Sequence, residues 1–223
     1  MGLLKLVFMY NGNFKSGIFL CFLVPVFMGC ASLSTMQTAR VTEKGKFDYL
    51  VDYGSAYYAD MPPNHCPVAE FGLRYGITDY LDVGYKISIS SISTLDFKYQ
   101  FLGDKKSKFA GSIGLGGGIA MGMGDGATAF TYDTMLPVYF SYHPNDWLSL
   151  YCSPKYIIYR KDISLEFEET TTTITHFYGA TAGIRIGKRV AFLAEYSLFG
   201  NYPAEIGILS SQITCGLAFC FYK

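Results

Sequence analysis

The feature that most constrains this chain is a two-residue alternation that recurs ten times between Gly45 and Lys223. Apolar residues hold one parity: Phe47, Tyr49, Val51 and Tyr53 in the first segment, Leu81, Val83, Tyr85, Ile87 and Ile89 in the third, and Ile213, Cys215, Leu217, Phe219 and Phe221 in the last. A period of two marks strands, whose successive side chains point to opposite faces. The charges hold the other parity. Asp48, Asp52, Glu70, Arg74, Asp82, Lys86, Asp96, Lys98, Asp133, Lys155, Arg185 and Glu195 all fall on it, and no apolar parity contains a charge.

Segregation of this strictness is what a bilayer demands, because Lys or Arg facing its midplane costs about 2–4 kcal/mol. The pattern predicts an all-β chain: an antiparallel up-and-down transmembrane β-barrel of ten strands, apolar outside and charged within. A soluble β-sandwich also alternates, with its charged face outward, and is the competing reading. Composition favours the barrel. The chain has 19 Tyr and 18 Phe but one Trp, and apolar character is dispersed over short segments. The 18 basic and 18 acidic residues balance, and no basic patch stands ready to neutralise phosphates. Nucleic acid is therefore not expected as a partner.

Turn signals divide the connections into two sets. Thr78-Asp79, Leu102 to Ser107, His143 to Asp146 and Gly187-Lys188 are tight. Gly54 to Cys66, Gly122 to Ala127, Arg160 to Thr173 and Gly200 to Ile208 are longer, and Ser91 to Ser93 is the short one on that side. Short turns on one side, longer loops on the other and an even strand number match bacterial barrels, whose termini lie in the periplasm. In this the span Gly45 to Lys223 resembles the small outer-membrane β-barrel proteins. The resemblance implies residence in the bacterial outer membrane among its lipids. It also implies recognition of the aromatic closing segment Gly216 to Tyr222 by the barrel-assembly machinery. Pro137 and Pro154 interrupt two predicted strands, and a bulge is expected near one or both.

Ahead of the barrel, Gly17 to Met28 is an apolar run too short to cross a bilayer as a helix. With Lys15 before it and Gly29-Cys30 after it, the run has the layout of a secretory signal. An uncleaved anchor is the other reading. The end resembles a bacterial lipoprotein signal, with Phe27 and Met28 departing from the usual pattern. That resemblance implies acylation of Cys30 and delivery to the outer membrane. The chain then divides into a signal peptide (1–29), a lipidated linker (30–44) and a barrel (45–223).

Chemistry is sparse. The mature cysteines beyond Cys30 fall far apart in the barrel, Cys66 outside it, Cys152 and Cys215 toward lipid and Cys220 at the periplasmic rim, so no disulfide is expected. No spacing suits zinc, and no cofactor is expected. His143 belongs to a predicted periplasmic turn, while His65 and His176 lie toward the outer rim. Some outer-membrane lipid hydrolases carry His-x-Ser on a strand; here the run is His176-Phe177-Tyr178, without the serine. The glycines Gly111 to Gly118 precede no helix and so form no phosphate loop. The inward charges, seven acids and five bases, are expected to pair and fill the lumen. A narrow diffusion pore is the alternative, and a membrane-embedded lipid hydrolase a more distant one. Arg160 to Thr173 reads as an extended hairpin above the membrane with Glu166, Glu168 and Glu169 at a solvated acidic tip; binding of a partner or cation there is the alternative, and the sequence identifies no extracellular ligand.

Overall fold

A computed structural model of the chain describes residues 33–58, 65–89, 92–124, 127–165, 170–202 and 209–220. The signal segment, Cys30, Glu166, Glu168, Glu169 and the terminal residues 221–223 lie outside the described residues. Ten strands follow in order: β1 (Phe47–Tyr58), β2 (His65–Gly76), β3 (Leu81–Ser88), β4 (Ser93–Leu102), β5 (Phe109–Gly124), β6 (Ala127–Asn145), β7 (Leu148–Leu165), β8 (Thr171–Gly187), β9 (Val190–Tyr202) and β10 (Leu209–Cys220). Each pairs antiparallel with its neighbours in sequence, and β1 pairs with β10 to close the barrel. Closure leaves no edge strand with unpaired backbone groups.

The pleat decides between membrane barrel and soluble sandwich. On β4, Phe97, Tyr99 and Phe101 are 46%, 53% and 53% exposed, while Lys98 among them is 1% exposed. The same inversion holds around the wall: Val51, Tyr85, Leu115, Phe140 and Leu217 are exposed, whereas Asp52, Asp82, Ser112, Ser141 and Thr214 are buried. Large apolar side chains outside and polar ones inside is the arrangement that lipid stabilises and water does not.

Short turns close one end of the barrel at residues 77–80, 103–108, 146–147 and 188–189. In one of them the Asp104 carboxylate accepts from the backbone N–H groups of Lys106 and Ser107 and from the Ser107 hydroxyl. Those bonds hold the carboxyl below its usual range. At the other end the strands run further than the turn signals suggest. β1 continues to Tyr58 and β2 starts at His65, while β7 reaches Leu165 and β8 starts at Thr171, with Ile163 opposite Thr171. Much of the span from Arg160 to Thr173 is therefore a hairpin, as its sequence reading has it.

The wall is uneven. β3 and β4 have 8 and 10 residues, but β5 to β8 have 16, 19, 18 and 17. About 9–11 residues suffice to cross the membrane as a tilted strand. The surplus stands at the end away from the short turns, where β5 to β8 project as a ribbon.

The prolines do not bulge the wall. Pro137 faces Lys155 and Pro154 faces Ala180, each in the same register as the residues around it. The register shifts instead between Gln100 and Leu102 and between Tyr142 and Asn145, at the short-turn ends of β4 and β6. A strand that loses one donor at proline keeps its register because the flanking ladder bonds fix it; at strand ends there is no ladder beyond to do so.

Candidate functional site

Eight strands give a barrel interior just wide enough for side chains to fill. Ten leave more room, and this chain fills it with its own backbone. Residues 33–42, read from sequence as part of a linker, run through the lumen in a largely extended path, and most are buried. Leu33 packs on Ala56, Cys66, Val68, Ile157, Phe177 and Phe199 toward the projecting end. Met36 sits on Tyr151, Ala191, Leu193 and Ala218, and Ala39 on Ala110 and Tyr139. At the short-turn end, Gly45 donates to the Gly76 carbonyl at 2.8 Å and Lys44 bridges Gly76 in parallel, which ties the segment to the rim before β1 begins. The segment thus descends from the projecting end to the short-turn end.

A buried backbone must find partners for its N–H and C=O groups. Here the wall supplies them. The N–H groups of Leu33, Ala39 and Val41 donate to Gln212 Oε1 at 2.7 Å, Ser141 Oγ at 3.2 Å and Gln100 Oε1 at 3.0 Å. Thr35 N–H and Met36 N–H both donate to the Glu195 carboxylate, which also accepts from the Tyr151 hydroxyl at 3.0 Å. Met36 has φ of 50°, a left-handed conformation uncommon outside glycine. The turn it makes aims two successive N–H groups at one anion. Thr42 N–H donates to Asp82 Oδ2 at 2.8 Å.

The carbonyls are held by cations and hydroxyls. Lys155 Nζ donates to the Leu33 and Ser34 carbonyls at 3.0 and 3.2 Å. Lys98 Nζ donates to the Thr38 and Arg40 carbonyls at 3.1 and 3.0 Å and to Gln37 Oε1 at 3.1 Å. The Ser197 hydroxyl donates to the Leu33 carbonyl at 3.2 Å, and the Ser112 hydroxyl to that of Ala39. Side-chain contacts complete the set: Ser34 donates to Glu70, Thr42 to Asp48, and Gln37 Nε2 to the Tyr139 hydroxyl. Thr181 Oγ1 approaches the Leu33 carbonyl at 3.4 Å, so every strand of the wall contributes at least one side chain. Hydrogen bonds involving a charged partner are each worth about 1.5–3 kcal/mol.

Most of the twelve inward charges pair with one another or bind the luminal segment. Arg74 bridges Asp82 and Asp96; Lys98 lies 3.5 Å from Asp82 and Lys86 3.1 Å from Glu70. Glu195 and Lys155 bind the luminal segment instead, and Asp48 accepts from its Thr42. Arg185 donates to the Lys188 carbonyl and Cys220 Sγ near the short-turn rim. Asp52 is buried with neither carboxylate oxygen hydrogen-bonded, and Asp133 has one oxygen in that state. The remaining space includes a cavity of about 100 Å³ beside Arg74, Lys86 and Lys98 and a vestibule of about 360 Å³ at the short-turn mouth.

Two sequence readings are corrected. Cys66 is not outside the barrel: β2 begins at His65, so Cys66 lies in a strand on the inward parity, buried and disulfide-bonded. Its partner lies outside the described residues, among which Cys152, Cys215 and Cys220 are free. The expectation of no disulfide rested on placing Cys66 in a loop, and an oxidising compartment permits the bond. His143 is not in a turn, because β6 continues to Asn145; it is buried, with Nε2 at 2.8 Å from Ser141 Oγ and Nδ1 at 2.7 Å from Ser149 Oγ.

His65 stacks on Tyr57 and is exposed, and His176 Nδ1 lies 2.7 Å from the Tyr156 hydroxyl on the outward face. Among the described residues no group of His, Cys, Asp and Glu is placed to hold a metal.

A closed antiparallel barrel with an apolar belt and a polar, occupied lumen is an integral protein of the bacterial outer membrane. Residues 31–218 match the family model described as a membrane bound beta barrel domain (DUF5777), and the chain belongs to that family. No curated protein matches the chain in sequence. Among solved structures it is similar to Neisserial surface protein A, at 10% identity and a TM-score of 0.39, over 79% of this chain and 96% of that one. It is also similar to Ail, the attachment invasion locus protein of Yersinia pestis, at 11% identity and a TM-score of 0.35, over 80% and 99%. The outer membrane protease OmpT of Escherichia coli aligns at 8% identity with a TM-score of 0.45, over 85% and 100%.

Proposed function

We propose that this protein is a sealed outer-membrane barrel that serves a structural or surface-binding role and neither conducts solutes nor catalyses a reaction. The observation that carries the reading is the lumen occupied by residues 33–42 and hydrogen-bonded from all ten strands. A pore needs a continuous aqueous path, and this segment runs along it from one end to the other. The projecting ribbon of β5 to β8 supplies the surface, with Arg160, Thr172 and Thr173 exposed on it and Arg160 paired to Asp162 at 3.0 Å. The hydrolase reading gains nothing from His176, whose ring meets a tyrosine hydroxyl rather than a serine.

Protein refolded into planar bilayers is expected to show no single-channel events. Stepwise conductance from the unmodified chain overturns the sealed reading in favour of the pore.

The lipid anchor is tested separately. Acylation of Cys30 and the disulfide of Cys66 exclude one another, since cleavage of the signal removes Cys21 and acylation consumes the Cys30 thiol, so a lipidated chain has Cys66 reduced. Mass spectrometry of the amino-terminal peptide should find acylated Cys30, and Cys30→Ser should abolish the modification. A Cys30–Cys66 cystine, or an unmodified Cys30, rejects the lipoprotein reading and leaves the barrel standing.

A further inference from the structure

We propose that the lumen is a binding site for an extended polypeptide, read mainly through its backbone and occupied here by the chain's own residues 33–42. The inference rests on the sealed reading above and goes further, because it assigns the lumen a ligand class. The wall does not merely fill space around the segment. It presents acceptors where the segment has N–H groups and donors where it has carbonyls: Gln212, Glu195, Ser141, Gln100 and Asp82 on one side of that ledger, Lys155, Lys98, Ser197 and Ser112 on the other.

Those contacts are made to groups every peptide carries, so they do not require this sequence. Side-chain selectivity comes from three apolar seats, under Leu33, Met36 and Ala39, spaced three residues apart, and from the polar contacts of Ser34, Gln37 and Thr42. Gly216 shapes one of them, since a Cβ there would come within 2.7 Å of Met36 Cε. The site therefore suits an extended, largely uncharged peptide with small or flexible apolar residues at every third position. Continuity with the wall is confined to the stretch from Glu43 to Lys46, where Gly45 is exposed with φ of 72° and open space around its Cβ position. Cutting there leaves the occupant held by non-covalent contacts and by whatever precedes Leu33.

The experiment places a protease recognition sequence at Gly45 in the full chain, together with Cys66→Ser so that no disulfide retains the segment. The barrel is folded in detergent first and cut afterwards, so that folding does not depend on the outcome. A synthetic fluorescent peptide of residues 33–44 is then the probe. Heat-modifiable migration should show the cut barrel still folded. The peptide should exchange into it saturably, read by anisotropy, and should close the conductance that appears once the released segment is washed away. N-methylation of the peptide at Thr35 and Met36, which removes both donors to Glu195, should weaken binding at least tenfold, whereas Thr35→Val, which removes a hydroxyl with no hydrogen-bond partner among the described residues, should change it less than threefold.

Equal binding of the N-methylated peptide overturns backbone reading. A cut barrel that remains folded and closed without exchanging, or that unfolds on losing the segment, overturns the binding site altogether and makes residues 33–42 a fixed part of the core. Conductance before cutting instead defeats the sealed reading, so the two failures are told apart.

Discussion

Asp52 and Asp82 occupy the same parity, both are acidic, and both end up buried, yet they face opposite circumstances. Asp82 accepts from Arg74 and from Thr42 N–H and lies 3.5 Å from Lys98 Nζ, so its charge is met from three directions. Asp52 has no hydrogen bond to either carboxylate oxygen. Removing one partner of a buried charge pair costs about 3–5 kcal/mol, because the other is left unpaired. Asp82→Asn should therefore lower the unfolding free energy of the refolded barrel, read from urea titration, by an amount of that order, while Asp52→Asn should leave it unchanged or raise it. Equal losses in the two variants would show that Asp52 has a partner as strong as that of Asp82. The sequence shows that both residues point inward. Which of them is paired depends on the neighbours that register brings alongside, Arg74 opposite Asp48 and Asp82 opposite Lys98, and alternation does not encode register. Glu195 carried even less signal: its role depends on Met36 adopting a left-handed turn 159 residues away.

At the level of the strand, alternation was sufficient to place all ten elements, because a side chain on the wrong face of a membrane wall is costly at every position. Strand ends were harder. Turn residues such as Gly54 and Arg160 lie within strands, since outside the membrane a hairpin tolerates polar and small residues on both faces. The prolines misled in the other direction, suggesting bulges where the ladder stays in register. Val83 tests the lipid-facing side directly. It lies between Tyr75 and Phe97 on adjacent strands, on the outward face of β3. Val83→Arg should destabilise the inserted barrel by about 2–4 kcal/mol if its depth is near the midplane, seen as a reduced folded fraction in heat-modifiability gels of protein refolded into vesicles. A fully folded Val83→Arg protein would mean that this face does not meet acyl chains.

Over the whole molecule, the linker is where the sequence said least. Residues 33–42 combine Ser, Thr, Gln and small apolar side chains, a composition that reads as an exposed connection when only local pattern is considered. The hint lay in barrel size: ten strands enclose more volume than twelve charged side chains need, and the excess invites a filler. Its direction has a consequence for the anchor. Leu33 packs among Ala56, Cys66 and Val68 toward the projecting end, and Thr42 binds Asp82 and Asp48 toward the short-turn end. Cys30 stands three positions ahead of Leu33, a reach of about 10 Å at full extension. If the short turns face the periplasm and Cys30 is acylated, this reach predicts a lipid on the cell-surface side of the barrel rather than beneath it. An epitope inserted between Ala31 and Ser32 should be bound by antibody on intact cells. The same epitope inserted at Lys106, in a short turn, should be bound only after the outer membrane is permeabilised. Access to the Lys106 epitope on intact cells would mean the barrel is inserted the other way up, whereas protection of both would mean that the chain ahead of Leu33 does not emerge at the surface and that the anchor lies on the periplasmic side.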